Sequence, residues 1–109
     1  MQPTMKVITP QDYATLRAGD APPILIDVRE PWEFAIARLD EATLLPIGEA
    51  HEWAPTLDKE ADYVVVCHHG QRSAAVCQFL AGQGFKRVAN LSGGMDAWSI
   101  AVDRTVPRY

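Results

Sequence analysis

The β-branched run Val64-Val65-Val66 stops abruptly at Cys67, and this junction constrains the fold more than any other stretch. A compact polar turn containing Gly70 follows, and an apolar pattern of helical period runs from Ser73 to about Gln83. A short apolar run closed by a turn reads as a buried strand, and a 3.6-residue period reads as an amphipathic helix. The segment is therefore a strand–loop–helix unit, with a thiol at the carboxyl end of the strand and a helix amino terminus directly behind it. Backbone N–H groups of the loop and first turn lack intrahelical partners there, and the helix dipole adds positive potential. An anion is stabilised at such a place, which makes Cys67 a candidate thiolate nucleophile.

A lone cysteine is more often a small buried hydrophobe than a catalyst. Here His68, His69, Gln71 and Arg72 crowd donors around the thiol, whereas a packed cysteine would sit among apolar neighbours. Gly70 supplies the freedom of φ that a tight cradle of backbone N–H groups requires. Cys77 is the contrast. It lies inside the helix among Val76, Phe79 and Leu80, and packing is its expected role.

Strands and helices alternate along the rest of the chain, the signature of a parallel sheet with crossover helices. Lys6–Ile8 reads as a first strand, and Thr9-Pro10 opens a helix through about Ala18, with Thr9 as cap and Pro10 at the first helical position. Ile24–Asp27 is a second strand, and Pro31 opens a helix through about Ala37. Thr43–Leu45 is a third strand, followed by a short helix at Glu49–Trp53. Tyr63–Val66 is the central strand and Arg87–Leu91 the last. Ser92-Gly93-Gly94 then turns into a final helix through about Ile100, and Val106 and Tyr109 pin the tail. Five strands with mostly helical connections imply a three-layer α/β/α domain with a mainly parallel sheet. Ligands bind such sheets outside the carboxyl ends of the strands. Cys67, Asp27-Val28-Arg29 and Ser92-Gly93-Gly94 all lie at such ends, so three segments are expected to meet at one site.

With 109 residues, residues 1–109 are expected to form a single domain. A hydrophobic fraction of 48% and a charged fraction of 22% are those of an ordinary globular protein. No apolar run approaches the ~20 residues that span a bilayer, so no membrane partner is expected. Met1–Met5 lacks the basic and apolar regions of a signal peptide. Two cysteines fit a reducing compartment, and the cytoplasm is the expected location. The net charge of −4 argues against nucleic acid, and any preference for anions must be local to the loop.

The chain resembles the rhodanese-like single-domain sulfurtransferases in Leu25-Ile-Asp-Val-Arg-Glu30 with Pro31-Trp-Glu-Phe34, in Thr43-Leu-Leu-Pro46, in Cys67-His-His-Gly-Gln-Arg-Ser73 and in Leu91-Ser-Gly-Gly-Met-Asp-Ala-Trp98. The order and spacing of these pieces are specific, though each alone is weak. The resemblance implies a rhodanese-like α/β/α fold and a two-step transfer of sulfane sulfur without cofactor. Cys67 would carry the sulfur as a persulfide, taken from a small anion such as thiosulfate and passed to cyanide or a thiol. A protein donor or acceptor is the alternative source or destination. Backbone N–H groups from His68, His69, Gly70, Gln71 and Arg72 to Ser73 would stabilise the sulfur anion. Arg72 would either hold the oxyanion end of the donor or brace the loop. Where family members carry Gly-His-Ile-x-Gly-Ala, this chain reads Ala37-Arg-Leu-Asp-Glu-Ala42, a change that bears on local loop geometry more than on activity.

Other residues favour structural roles. Adjacent His68 and His69 cannot readily converge on one ion, and no metal is expected; they would instead lend cationic or donor character beside the donor anion. Asp27 and Arg29 are expected to tie loops together by hydrogen bonds and an ion pair. Gly93 and Gly94 would permit a close backbone approach. Trp32, Trp53 and Trp98 read as core or rim residues, and His51 as surface. A cysteine phosphatase or arsenate reductase is the first rival, but only four residues separate Cys67 from Arg72, a short loop for a tetrahedral phosphate. A non-enzymatic regulatory module or partner-dependent sulfur relay is the second, and a redox sensor using the oxidisable thiol the third.

Overall fold

The structure, a computed structural model, describes residues 6–109. The signal-peptide expectation for Met1–Met5 falls on residues outside this range. Five strands, β1 (Lys6–Ile8), β2 (Ile24–Asp27), β3 (Thr43–Leu44), β4 (Asp62–Val66) and β5 (Arg87–Leu91), form one sheet in the order β1-β5-β4-β2-β3. Every pairing is parallel, where the sequence supports only a mainly parallel sheet. The connections carry α1 (Pro10–Arg17), α2 (Pro31–Ile36), α3 (Ala50–Trp53) and α4 (Gln71–Gly82), and α5 (Gly94–Ala101) follows β5.

β4 occupies the middle, with Val64 opposite both Leu25 and Ala89, and Val65 opposite both Ile26 and Asn90. Side chains of a strand alternate between faces, so β4 feeds two cores. Tyr63, Val65 and Cys67 join Ile26, Trp53 of α3 and Val76, Cys77 and Leu80 of α4. Val64 and Val66 join Leu25, Leu91, Tyr13 of α1 and Met95 and Trp98 of α5. Helices cover both faces, which is why the β4 run is continuously apolar.

Local chemistry sets the helix starts. Asp12 N–H donates to Thr9 Oγ1 at 3.0 Å while Thr9 N–H donates to Asp12 Oδ2 at 3.1 Å, a reciprocal cap over Pro10. α4 begins two residues earlier than the apolar period indicates, because Gly70 caps it at φ 101°. Its first turn, Gln71 and Arg72, is polar and therefore invisible to hydrophobic periodicity. The helix expected at Glu49–Trp53 is Ala50–Trp53 between two single 3₁₀ turns, Ile47–Glu49 and Ala54–Thr56, with Pro55 ending it. Trp53 and Trp98 are buried, whereas Trp32 is 61% exposed on α2. No helix among the described residues is long and apolar enough to cross a membrane.

Candidate active site

Cys67 leaves the end of β4 and is held from below by α5. Met95 N–H donates to Cys67 O at 2.8 Å and Asp96 N–H to His68 O at 3.1 Å, so the open end of α5 is engaged by the chain itself. Gly94, at φ 63°, makes this approach feasible: a Cβ there would lie 2.4 Å from Cys67 O. On the other side of the loop, Gly70 N–H donates to Cys67 Sγ at 3.0 Å, and Ser73 Oγ lies 3.3 Å from the same sulfur. Of the amides from His68 to Ser73, Gly70 is the one that hydrogen-bonds the sulfur. The cradle is thus narrower than the sequence suggests, one amide and one hydroxyl.

Cys67 is 1% exposed and packs in the same core as Val28, Val76 and Cys77. The polar neighbours in sequence do not enclose the sulfur, because Gln71 and the His69 side chain point to solvent. The residue is both a core cysteine and a hydrogen-bonded one. His68 is wedged between the rings of His69 at 4.0 Å and Tyr109 at 4.1 Å, with its Nδ1 buried and unpartnered. Burial, followed by repulsion from His69, pulls its titration below that of an ordinary histidine. That shift disfavours the charged form of the ring. His69 Nε2 stands 3.8 Å from Asp96 on α5. Among the described residues, no group of three His, Cys, Asp or Glu side chains is arranged to hold a metal ion.

Arg72 projects from the first turn of α4 onto Glu33 of α2, through a two-pronged contact of 2.6 and 2.8 Å. Glu33 also accepts Glu30 N–H at 3.0 Å and the Tyr109 hydroxyl at 2.7 Å. Tyr109 OH in turn accepts Arg29 Nη1–H at 2.8 Å. Arg29 closes the chain on Asp27, with Nε–Oδ1 at 2.9 Å and Nη2–Oδ2 at 2.7 Å, both residues 0% exposed. The β2 end, α2, the tail and the Cys67 loop are thereby tied together, while Gly93 and Gly94 reach the loop from β5. The three strand-end segments thus meet around Cys67.

The Arg72 hydrogen bonds hold the Glu33 carboxyl down at about 2, against its burial and with help from Glu30 N–H and Tyr109. A carboxylate whose folded value is depressed stabilises the fold above its unfolded value, and that contribution disappears as pH falls through the folded one. Urea midpoints are expected to fall between about pH 4.5 and 2 in part through this group. In Glu33→Gln that part of the acid slope disappears; an unchanged slope would show that Glu33 is not strongly ion-paired. Cys77 is fully buried, and burial, with the neighbouring Cys67, pushes its thiol up to about 12. Cys77→Ser is expected to keep Cys67 chemistry intact while costing about 1–3 kcal/mol for a buried hydroxyl, measured by denaturation.

Two residues at the site escaped the sequence reading. Glu33 carries only a weak signal, an acid three residues into a Pro31-initiated helix. Asn90 carries a stronger one, because a polar side chain in the run Val88-Ala89-Asn90-Leu91 must find a partner inside a sheet buried on both faces. It accepts from Ser73 Oγ at 2.5 Å and donates to Gly70 O at 3.1 Å.

A parallel α/β/α sheet with a cysteine at the strand-to-helix turn of its central strand, backed by an arginine in the first helical turn, is the framework of a rhodanese-like fold. The rhodanese-like domain family matches residues 9–101, and the chain belongs to that family. Thiosulfate sulfurtransferase GlpE of Ectopseudomonas mendocina (strain ymp) is 34% identical over 93 residues, covering 85% of this chain and 84% of that protein. Rhodanese-like/PpiC domain-containing protein 12, chloroplastic, of Arabidopsis thaliana is 44% identical over 89 residues, covering 78% of this chain but only 30% of the plant protein. A rhodanese-like domain protein from Staphylococcus aureus has a crystal structure with TM-score 0.83 to this one, 30% identity, and coverage of 96% of this chain and 99% of that one.

Proposed function

We propose that the protein is a sulfurtransferase that moves sulfane sulfur from thiosulfate to a thiol or cyanide through a persulfide on Cys67. The observation that carries this reading is the Gly70 amide 3.0 Å from Cys67 Sγ, at the carboxyl end of β4 and the amino end of the 12-residue α4. A negative sulfur there is met by a fixed N–H and by the positive end of the helix. The relative named for thiosulfate sulfurtransfer, aligned over most of both chains, supports the donor class.

In the first half-reaction the Cys67 thiolate attacks the outer sulfur of thiosulfate. A new S–S bond forms, the donor's S–S bond breaks, and its electron pair leaves with sulfite. In the second, the acceptor attacks the outer sulfur of the persulfide and releases the Cys67 thiolate. A covalent intermediate of this kind makes the kinetics ping-pong. Arg72 is engaged by Glu33 on both prongs, so its role in this reading is to brace the loop. Both cysteines are free, consistent with work in a reducing compartment such as the cytoplasm.

Intact-protein mass spectrometry after thiosulfate treatment tests the proposal. The expected result is a gain of one sulfur, removed by cyanide. A protein that stays unloaded by thiosulfate but accepts sulfur from a persulfidated protein would instead be a partner-dependent relay.

A further inference from the structure

Cys67 Sγ, Ser73 Oγ and Asn90 Oδ1 form one buried line, with separations of 3.3 and 2.5 Å. The positions of its protons follow from counting donors. Gly70 O can only accept, and it lies 3.1 Å from the Asn90 side-chain amide. Asn90 therefore turns Nδ2 to Gly70 and Oδ1 to Ser73. Oδ1 carries no proton, so the contact with Ser73 consumes the single hydroxyl proton. None is left for the sulfur, and the Cys67–Ser73 contact is satisfied only with S–H as donor. The resting arrangement is that of a thiol, which receives Gly70 N–H and gives its proton to Ser73.

A thiolate has no proton to give. When the S–H proton leaves to water, the Ser73 O–H must turn from Asn90 to the sulfur, its proton remaining on oxygen and no covalent bond changing. Asn90 Oδ1 then loses its partner at a residue that is 7% exposed, beside a Ser73 that is 0% exposed. An unmet acceptor at such depth is costly. We infer that Asn90 is a positioning residue acting through Ser73: its side-chain oxygen competes with the Cys67 sulfur for one hydroxyl proton, and so sets how readily the nucleophile forms. The inference rests on the reading of Cys67 as the nucleophile but needs no sulfur donor for its test.

Other titratable and charged groups around the thiol stay in place in every variant below. They are Arg72 and Cys77 from α4, His68 in the loop, Glu33 of α2 paired with Arg72, and Asp96 of α5 close to His68. The readout is the pH profile of iodoacetamide alkylation, with the modified peptide mapped to Cys67. Asn90→Leu removes the competing acceptor, and the profile midpoint is expected to fall by about one pH unit, a tenfold faster reaction on the acid side. Ser73→Ala is expected to raise the midpoint, and Ser73→Thr to restore it. In the Ser73→Ala background, Asn90→Leu should produce no downward shift, because its route to the sulfur is gone.

A shift of equal size in both backgrounds, or an unchanged or raised midpoint in Asn90→Leu, would overturn the inference. A raised midpoint is the mark of a merely structural role, since losing the Gly70 tether loosens the amide that serves the sulfur. If Asn90→Leu does not fold, Asn90→Ala is read by the same signs. An alkylation pattern as expected with no sulfur loading from thiosulfate would sink the transfer reading alone. Normal loading with no coupling between Asn90 and Ser73 would sink this inference alone.

Discussion

Cys67→Ser is expected to reduce thiosulfate:cyanide turnover by about three orders of magnitude or more, because removing the nucleophile of a covalent mechanism leaves only binding and polarisation. The same variant should gain no sulfur in the mass spectrum. The fold should survive, since a serine oxygen can still accept Gly70 N–H and meet Ser73. The measurement therefore pairs turnover with a urea midpoint, and a wild-type midpoint beside lost turnover assigns the defect to chemistry. Retained turnover in Cys67→Ser would remove the sulfur carrier from the proposal. The narrow cradle gives this experiment its interest. With Cys67 at 1% exposure and its sulfur held by the Gly70 amide, lost turnover in a folded variant is assigned to that one atom.

Breaking the ion pair beneath that loop is expected to have the largest effect on stability. Asp27→Ala leaves the Arg29 guanidinium at 0% exposure without its carboxylate, and an uncompensated buried charge of this kind costs about 3–5 kcal/mol. Native domains of this size hold only about 5–15 kcal/mol, so the loss should be visible as a large fall in the urea midpoint. Arg29 also donates to Ala37 O at 2.5 Å and to Tyr109 OH at 2.8 Å, so the disturbance should spread to the end of α2 and to the tail. Replacing both partners with apolar residues of similar volume, as in Asp27→Leu with Arg29→Met, should recover part of the loss, since no stranded charge then remains. A single-variant loss below about 1 kcal/mol would show that water reaches Arg29 once Asp27 is gone.

These two residues, Cys67 and Asp27, were legible for different reasons. Cys67 stood out because a β-branched run ending in a thiol, a glycine and a helix has few other readings. Asp27 stood out because it ends a strand two residues before an arginine, a spacing that lets one side chain reach the other. The helix carrying Trp98 was legible in the Ser92-Gly93-Gly94 turn, and α1 in the Thr9-Pro10 pair. By contrast, the start of α4 was misplaced by two residues, because its first turn is polar and its cap is a glycine with positive φ rather than a serine or aspartate. The Tyr109 ring against His68 was not legible either, because the tail brings it from the far end of the chain.

What the sequence determined alone was the order of elements, the parallel sheet and the thiol at the carboxyl end of β4. All of these follow from local periodicity and turn chemistry, which act over a few residues. Only the tertiary structure decided which partners close around that thiol. Glu33 reaches Arg72 across 39 positions, Asn90 reaches Ser73 across 17, and Tyr109 reaches Glu33 across 76. Such contacts depend on where β2, β5 and the tail lie relative to β4. That placement is set by the packing of two cores on opposite faces of the sheet, and no local pattern encodes it.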